Sequence, residues 1–472
     1  MSRFDYDLAV IGAGSAGLSI TSVAARLGLR VALIERARMG GDCLNTGCIP
    51  SKALLAAAHA AQAARAAHRL GVILPEPVID WEAVRAHVHG VIAAIAPTDS
   101  EERFRALGAA VFRDQARFVA PDALEIGGRR LSARRIVVAA GSRPAIPPVP
   151  GLDAIPYLTS ETLFDLAERP AHLLILGGGP IGLEMADAHA GLGCRVTVIE
   201  ADRAAAKEDP DLAAGLRDAL VRKGVTILEH AEVVEAASGP ALILRDGRRI
   251  EGSHLLVAVG RRPNLDGLAA EAAGVRTTPH GIATDSGLRS LTNRRVFAAG
   301  DIADPEGIGV RAFTHVGTYH AGIVIRRALF RLPARIDYRA LPRVTYTDPE
   351  LAQVGATEAE ARAAGRSVSV LRWSLAENDR ARTERDTDGM VKLIIERGRV
   401  IGAGILARDA GEMIGQWTLA IARQVSLRAL ADLIVAYPTR AEAGKRAAGE
   451  YYAARLFSSS TKRLVAALAW LP

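Results

Sequence analysis

The stretch Tyr6-Asp-Leu-Ala-Val-Ile11 is a short apolar run that continues directly into Gly12-Ala-Gly14-Ser-Ala-Gly17. A helical pattern follows to about Leu27, and a second apolar run, from Arg30 to Ile34, ends at Glu35. A strand, a glycine turn, a helix, a strand and an acid in this order predict a dinucleotide-binding βαβ unit. A glycine motif alone would be weak evidence, but the complete succession is specific.

Each marked position in this unit has its own predicted task. Gly12 permits the tight turn after the strand, and Gly14 lets the backbone approach a pyrophosphate at the N-terminus of the helix. Gly17 allows the helix and the strand to pack closely, and Glu35 can accept hydrogen bonds from a ribose. These four residues are therefore predicted to bind a cofactor.

The same pattern occurs again after a proline-rich linker. The apolar run from His172 to Leu176 leads into Gly177-Gly-Gly179-Pro-Ile-Gly182, and the helix and strand that follow end at Glu200. Two complete units predict two dinucleotide sites rather than one degenerate motif. A further strand, from Arg295 to Asp301, follows the second unit, which predicts that the second domain is inserted in the first. Asp301, at the end of this strand, could hold a ribityl or ribose hydroxyl.

The predicted fold class is α/β, with two Rossmann-like domains, the second inserted in the first, and a C-terminal α+β domain. From about Tyr338 the composition changes and no glycine fingerprint recurs. The tail from Ser458 to Pro472 is expected to pack on the body as a helix, with contact to a membrane surface as the alternative. The predicted domains are the first part of one dinucleotide-binding domain at 1–150, a second dinucleotide-binding domain at 151–268, the second part of the first domain at 269–337, and a third domain at 338–472.

Two of the three cysteines lie in Gly40-Gly-Asp-Cys43-Leu-Asn-Thr-Gly-Cys48-Ile-Pro-Ser-Lys52. One helical turn can bring such a pair within bonding reach, since a disulfide needs Cα atoms roughly 4.4–6.8 Å apart. A structural disulfide, a metal site and two unrelated buried thiols are the alternatives. A long intracellular chain needs no disulfide for stability, and a zinc site would need more ligands nearby. We therefore predict a redox-active pair.

Two nucleotide sites and a cysteine pair together suggest an electron chain. A nicotinamide in one site would reduce a flavin in the other, and the flavin would reduce the disulfide. One thiol must then be a thiolate, either to attack or to donate charge to the flavin. Lys52 can supply positive charge near a reduced flavin, and Glu184 is a candidate partner for this lysine.

Composition excludes several other classes of function. The net charge is +7, but aromatic residues make up only 4% of the chain, so we expect no nucleic-acid binding. No run of 18 or more apolar residues occurs, so we expect no stable membrane insertion. Three cysteines without a secretion signal predict a reducing, cytoplasmic location.

The chain resembles the class I pyridine nucleotide–disulfide oxidoreductases, which include dihydrolipoyl dehydrogenase, glutathione reductase and mercuric reductase. The stretch from Gly40 to Lys52 is the most specific part of the resemblance. Other matching stretches are Gly12–Gly17, Gly177–Glu184, Val259-Gly260-Arg-Arg-Pro-Asn264, Phe297–Asp301 and Thr347–Gly355. The resemblance implies that FAD binds in the first unit, so that 1–150 and 269–337 would form the FAD-binding domain and 151–268 the NAD(P)-binding domain. It also implies a homodimer built through the last domain, 338–472.

It also implies roles for individual residues. Cys43 would exchange with the substrate while Cys48 contacts the flavin. By the same match, the residues that contact FAD would be Glu35, Lys52, Ala116, Ser142 and Asp301.

One position departs from the family pattern. The disulfide-reducing members carry a His-Pro-Thr motif whose histidine, oriented by a glutamate, acts as acid and base; here the sequence is Tyr437-Pro-Thr, with Glu442 in the place of the glutamate. A tyrosine is a poor base at neutral pH. A tyrosine there resembles mercuric reductases, but no cysteine follows Cys194, whereas those enzymes use a C-terminal cysteine pair.

The leading hypothesis is an NAD(P)H-driven, FAD-dependent reductase of a disulfide, a metal ion or another small acceptor. The alternatives are a dihydrolipoyl dehydrogenase with an altered acid/base residue, and an FAD-binding redox sensor without turnover. Glu200 favours NADH because a carboxylate repels a 2′-phosphate, while Arg203 and Lys207 keep NADPH as the second option.

Overall fold

The computed structural model describes residues 4–471, except for the side chains of residues 454 and 455. The first segment forms one open sheet with helices on both sides. Its strands and helices are β1 (Tyr6–Ile11), α1 (Ser15–Arg26), β2 (Val31–Ile34), α2 (Gly41–Asn45), α3 (Cys48–Ala66), α4 (Trp81–Ile95), α5 (Glu101–Ala106), β3 (Ala110–Phe112), β4 (Ala116–Ala120), β5 (Ala123–Ile126), β6 (Arg129–Val138) and β7 (Ser142–Pro144).

The second segment forms a smaller parallel sheet with an antiparallel hairpin sheet beside it. Its elements are β8 (His172–Leu176), α6 (Pro180–Gly191), β9 (Arg195–Ile199), α7 (Pro210–Arg222), β10 (Thr226–Leu228), β11 (Val233–Ala237), β12 (Ala241–Leu244), β13 (Arg249–Glu251), β14 (His254–Val257) and β15 (Arg261–Pro263).

The third segment returns to the first sheet. Its elements are β16 (Thr277–Thr278), β17 (Gly281–Thr284), β18 (Val296–Ala298), β19 (Ala303–Pro305) and α8 (Thr314–Val324).

The last segment is a mixed α and β domain. Its elements are β20 (Pro342–Thr345), β21 (Glu350–Gly355), α9 (Glu358–Ala363), β22 (Ser369–Ser374), α10 (Asp379–Thr383), β23 (Met390–Glu396), β24 (Arg399–Ala407), α11 (Ala410–Ala422), α12 (Leu427–Ala431), α13 (Glu442–Leu456) and α14 (Ser459–Leu468). Single helical turns throughout the chain are Ala67–Leu70, Ala96–Asp99, Leu152–Ala154, Leu163–Asp165, Ala270–Ala273, Gly300–Ile302, Ile325–Leu329 and Leu375–Glu377.

The order of the strands confirms the predicted fold class. The first sheet runs β3-β2-β1-β6, with β18 beside β6, and all these pairs are parallel. The second sheet runs β10-β9-β8-β14, also parallel. Because β18 follows the second domain in the chain and still joins the first sheet, the second domain is inserted in the first. The predicted boundaries at 150, 268 and 337 stay predictions.

Buried strands explain the unbroken apolar runs in the sequence. All four residues of β2 and the last four of β1 are buried, as expected for parallel strands covered on both faces. The short strands β7 and β15 pair with each other where the chain leaves and re-enters the first domain. The carboxyl ends of both parallel sheets therefore lie on either side of this crossing point.

The last domain is an antiparallel sheet, ordered β20-β21-β24-β23-β22. The sheet and its helices enclose an apolar core around Trp417, which is 2% exposed. Helix α9 begins with a capping box between Thr357 and Glu360. None of the described helices is long and apolar enough to cross a membrane.

The tail differs from its prediction. Helix α14 forms, but no residue of it is buried, and Leu464, Val465 and Leu468 are each more than half exposed. The expected packing on the body was wrong for the single chain, because no apolar surface formed by its described residues covers this stripe. Residues 1–3 of the first predicted domain and Pro472 of the predicted tail lie outside the described residues.

Candidate functional site

A cavity of about 2910 Å³ runs along the carboxyl ends of both parallel sheets and against the last domain. Its walls include both glycine turns, both cysteines of the predicted redox pair, and segments from β20 to α11. Residues predicted from distant parts of the sequence therefore face one continuous space.

The first glycine turn forms a narrow cradle at this cavity. Gly12 has φ +104°, and a Cβ at this position would collide with the carbonyl oxygen of Ala139. Gly14 faces the cavity, whereas Gly17 lies behind it, where a Cβ would collide with the carbonyl oxygen of Gly12. The buried Glu35 accepts hydrogen bonds from the N–H groups of Ala13 (2.8 Å) and Ala37 (2.7 Å). The turn is thereby fixed, with open space where a pyrophosphate would lie.

The second turn repeats this geometry. Gly177 and Gly179 face the cavity, and Gly182 packs closely against the carbonyl oxygen of Gly177. Glu200 accepts hydrogen bonds from the N–H groups of Gly178 (2.6 Å) and Asp202 (3.0 Å). Both units therefore hold their acid in the same way, and both fit the adenosine diphosphate part of a dinucleotide.

A polar network lies between the two turns. The Ser142 hydroxyl donates to Asp301 Oδ2 (2.6 Å), and burial raises the pKa of Asp301 although this hydrogen bond opposes the rise. Arg261, next to the predicted Gly260, donates to the Ser142 hydroxyl (2.7 Å) and pairs with Asp42 at 3.0 Å. We did not predict Arg261 or Asp42, because their pairing depends on the crossing of β7 and β15.

Both cysteines are free thiols in the structure, and they lie on two successive helices. Cys43 lies in α2, Cys48 is the first residue of α3, and the Cys48 Sγ lies 3.2 Å from Thr314 Oγ1. A hydrogen bond from Cys43, another from Thr314 and the charge of Lys52 lower the pKa of Cys48 to about 6, although burial opposes them. The hydrogen bond to Cys48 raises the pKa of Cys43, so the proton stays on Cys43. The pair thus holds one thiolate at neutral pH.

Lys52 follows the pair by one helical turn. Its Nζ lies 2.7 Å from Glu184 Oε2, and the buried Glu184 also accepts from the N–H of Tyr346 (3.0 Å). Thr314 and Tyr346 were missed from the sequence, because neither belongs to a local motif near the cysteines.

Ala116 is a predicted cofactor residue that, like Gly17 and Gly182, does not line the cavity. It begins β4, is 3% exposed and belongs to the core of the first domain. Its predicted contact with FAD stays a prediction. Cys194 is buried as expected, and burial raises its pKa to about 11.

Tyr437 and Glu442 do not line the cavity of their own chain. Tyr437 is 67% exposed and its hydroxyl donates to Asp379 Oδ2 (3.1 Å). Glu442 instead accepts from Arg446 (3.0 Å), so within one chain these two residues do not form the expected pair. Asp379, which was not predicted, takes the place of the glutamate as the partner of Tyr437.

Comparisons with known proteins agree with this architecture. The pyridine nucleotide-disulphide oxidoreductase model matches residues 6–323, and the dimerisation domain of the same family matches residues 341–448. A mercuric reductase of Streptomyces lividans is 37% identical over 464 residues, covering 94% of this chain and 95% of that protein. A dihydrolipoyl dehydrogenase of Geobacillus stearothermophilus is 32% identical over 454 residues, covering 93% of this chain and 94% of that protein.

A solved structure is also similar over nearly the whole chain. The Cu(II) complex of the HOCl-induced flavoprotein disulfide reductase RclA from Escherichia coli has a TM-score of 0.83 and 28% identity, covering 93% of this chain and 98% of that one.

Proposed function

Because this chain belongs to the pyridine nucleotide-disulphide oxidoreductases, which are FAD-dependent enzymes driven by NAD(P)H, we propose that it uses the Cys43–Cys48 pair to reduce a thiol-binding metal ion. Mercuric and cupric ions are the representatives of this class that we would test first. The overall step balances as NAD(P)H plus a divalent ion giving NAD(P)⁺, the metal reduced by two electrons, and one proton. A cupric ion would take one electron, so that two ions would be consumed.

The first dinucleotide unit suits FAD. Gly12, Gly14 and Glu35 would hold its adenosine diphosphate part, and Ser142 and Asp301 its ribityl chain. When bound, FAD supplies the relay that accepts a hydride from NAD(P)H and passes two electrons to the cysteine pair. Lys52 would place a positive charge beside the reduced ring.

The second unit suits the nicotinamide cofactor, with Gly177, Gly179, Gly182 and Glu184 at its turn and helix. We propose NADH as the preferred donor, because the Glu200 carboxylate would repel a 2′-phosphate. Arg203 and Lys207 line the same cavity and keep NADPH as the alternative. The ratio of kcat/KM for the two donors, and its reversal in Glu200→Ser, tests this proposal.

The observation that supports a metal acceptor is the environment of Tyr437. Oxidising a dithiol substrate or reducing a disulfide requires protons to move, and a general base typically contributes about 10²–10⁴ in rate. The Tyr437 hydroxyl keeps its proton and donates a hydrogen bond of 3.1 Å to Asp379 Oδ2. Electron transfer to a metal ion requires no such base, so this chemistry is compatible with a tyrosine.

The second candidate is dihydrolipoyl dehydrogenase activity with an altered acid/base residue. The relative of that name, at 32% identity, favours it, and the absence of the histidine argues against it. A flavin-binding sensor without turnover is the third candidate.

We propose a homodimer, supported by the dimerisation domain, in which Tyr437 of one copy would approach the cavity of the other. The cytoplasm, where NAD(P)H is available, is the proposed location.

One experiment separates these candidates. Anaerobic NADH should bleach the flavin and expose two thiols, and Hg(II) or Cu(II) should then accelerate NADH consumption, with loss of this activity in Cys43→Ser and Cys48→Ser. Turnover with dihydrolipoamide should be near zero and should rise at least about tenfold in Tyr437→His. Efficient dihydrolipoamide turnover by the unaltered protein would overturn the metal proposal, and an unchanged thiol count would overturn the role of the cysteine pair.

A further inference from the structure

Helix α6 connects the redox helix α3 to the last domain through two carboxylates, one helical turn apart. Glu184 accepts from Lys52 Nζ (2.7 Å) of α3 and from the N–H of Tyr346 (3.0 Å). Asp187 repeats the arrangement, lying 3.3 Å from His59 Nε2 of α3 and accepting from the N–H of Asp348 (2.8 Å). The segment 346–348 is therefore held against the helix that carries Cys48.

This anchoring places the ring of Tyr346 on the ammonium of Lys52. The Lys52 Nζ lies 4.3 Å from the centre of the ring, within the range of a cation–π interaction. Tyr346 also lines the cavity and follows directly after β20. A Cβ at Gly411 would lie 3.4 Å from Tyr346 Cε1, so the start of α11 also packs against the ring.

We propose that Tyr346 is a positioning residue, whose ring and main-chain N–H hold the Lys52–Glu184 pair so that the ammonium stays beside the redox cysteines. The proposal rests on the proposed role of the cysteine pair. Lysine has a long, flexible side chain, and 36% of the Lys52 side chain is exposed. Glu184 restrains the ammonium from one direction only, and the ring restrains it from another. Without the ring, the Lys52 ammonium would move away from Glu184 and become hydrated.

A fixed positive charge matters because both products of reduction are anions. The charge of Lys52 favours the thiolate of Cys48, and it would favour a reduced flavin bound at the first glycine turn. The last domain would therefore influence electron transfer through one aromatic ring, although it supplies none of the glycine turns or cysteines.

The test compares three substitutions in the FAD-loaded protein. Tyr346→Leu removes the ring, Tyr346→Phe keeps it without the hydroxyl, and pentafluorophenylalanine at 346 keeps the shape while reversing the ring charge distribution. Tyr451→Leu is the matched control, since Tyr451 has the same 37% exposure on α13. One readout is the ratio of reduced to oxidised flavin at a fixed NADH/NAD⁺ ratio. The other is the reactivity of Lys52 towards reductive methylation, followed by mass spectrometry.

We expect Tyr346→Leu and the fluorinated residue to lower the ratio of reduced to oxidised flavin roughly three- to tenfold and to raise Lys52 methylation, while Tyr346→Phe and Tyr451→Leu leave both unchanged. The fluorinated variant keeps the test valid if the leucine variant does not fold. Equal values for the phenylalanine and fluorinated variants would overturn the proposal. If NADH fails to reduce even the unaltered protein, the proposed function is wrong, and Lys52 methylation alone still decides the role of Tyr346.

Discussion

The thiolate on Cys48 depends on three individual side chains. Hydrogen bonds from Cys43 and Thr314, and the charge of Lys52, lower its pKa to about 6 against the effect of burial. A thiolate next to a protonated thiol is the state in which one sulfur can donate charge while the other remains available for exchange. This difference between the two sulfurs would suit the proposed roles, in which Cys43 exchanges with the substrate and Cys48 contacts the flavin.

We predict that Thr314→Val raises the pKa of Cys48, because a hydroxyl that donates to the thiolate is lost. Thiolate absorbance of the reduced protein should show a midpoint near pH 6 that shifts upward in the variant, with equal absorbance at high pH. Thr318→Val, on the same helix and lining the same cavity, is the control and should not shift the midpoint. An unchanged midpoint in Thr314→Val would show that the 3.2 Å contact does not stabilise the anion.

Tyr437 gives a second prediction at this scale. Its pKa is raised, first by the hydrogen bond to Asp379 and then by the charge of the same carboxylate. Asp379→Asn should therefore lower the pKa of Tyr437 towards its ordinary value. The measurement is the tyrosinate absorbance between pH 8 and pH 12, as the difference from Tyr437→Phe. Glu442→Gln should change the pKa of Tyr437 less than Asp379→Asn does. If Glu442→Gln had the larger effect, Glu442 rather than Asp379 would be the partner of Tyr437.

At the scale of the elements, the junction of α3 and α6 positions the redox helix. Asp187 is fully buried on α6, where it contacts His59 and accepts from Gln62 (3.0 Å) and Lys223 (3.0 Å). The helices approach closely because Gly191 lies against Ala58. The orientation of α3, and with it the position of Cys48, depends on this contact.

We predict that Asp187→Ala lowers the free energy of unfolding by about 2–4 kcal/mol, because several donors would lose a buried acceptor. Urea unfolding followed by circular dichroism measures the change. Asp218→Ala on α7, where the carboxylate is exposed, should change stability by less than about 0.5 kcal/mol. If both variants lose the same stability, the junction has no special role.

How much of this arrangement could be predicted from the sequence depends on the distance along the chain. The glycine turns, Glu35, Glu200 and the cysteine pair lie within short motifs, where spacing alone determines geometry. Thr314, Tyr346 and Asp379 reach their partners only after separate domains have packed, and no local pattern marks them. The wrong prediction for α14 has the same cause. The spacing of apolar residues predicts a helix with one apolar face, but it does not indicate which surface will cover that face.

On the scale of the whole molecule, the cavity depends on how the last domain lies against the inserted one. A buried lysine on β23 connects them: Lys392 Nζ lies 2.9 Å from Asp209, 2.8 Å from Asp211 and 2.9 Å from Glu358. Asp209 is also the N-cap of α7, and its own N–H donates to Gln353 (3.0 Å) on β21. One cation thus binds carboxylates from both domains in a region where the lysine side chain is only 4% exposed.

Replacing this lysine should weaken the contact between the two domains, and the resulting loss of stability should depend on pH. Hydrogen bonds from Lys392 are the largest cause of the lowered pKa of both Asp211 and Glu358. A lowered carboxylate pKa contributes stability above the unfolded value, near pH 4, and this contribution is lost as the pH falls. Lys392→Met should therefore lower the free energy of unfolding by about 2–4 kcal/mol at pH 7, and by progressively less as the pH falls below about 4.

Urea unfolding of Lys392→Met at several pH values measures this difference, with the exposed Lys462→Met as the control that should follow the unaltered protein. A stability loss that is independent of pH would mean that packing of the lysine stem, rather than its charge, joins the domains. A loss that follows the ionisation of the carboxylates would show that one buried ammonium determines how closely the last domain, and with it Tyr346, is held against the redox helix.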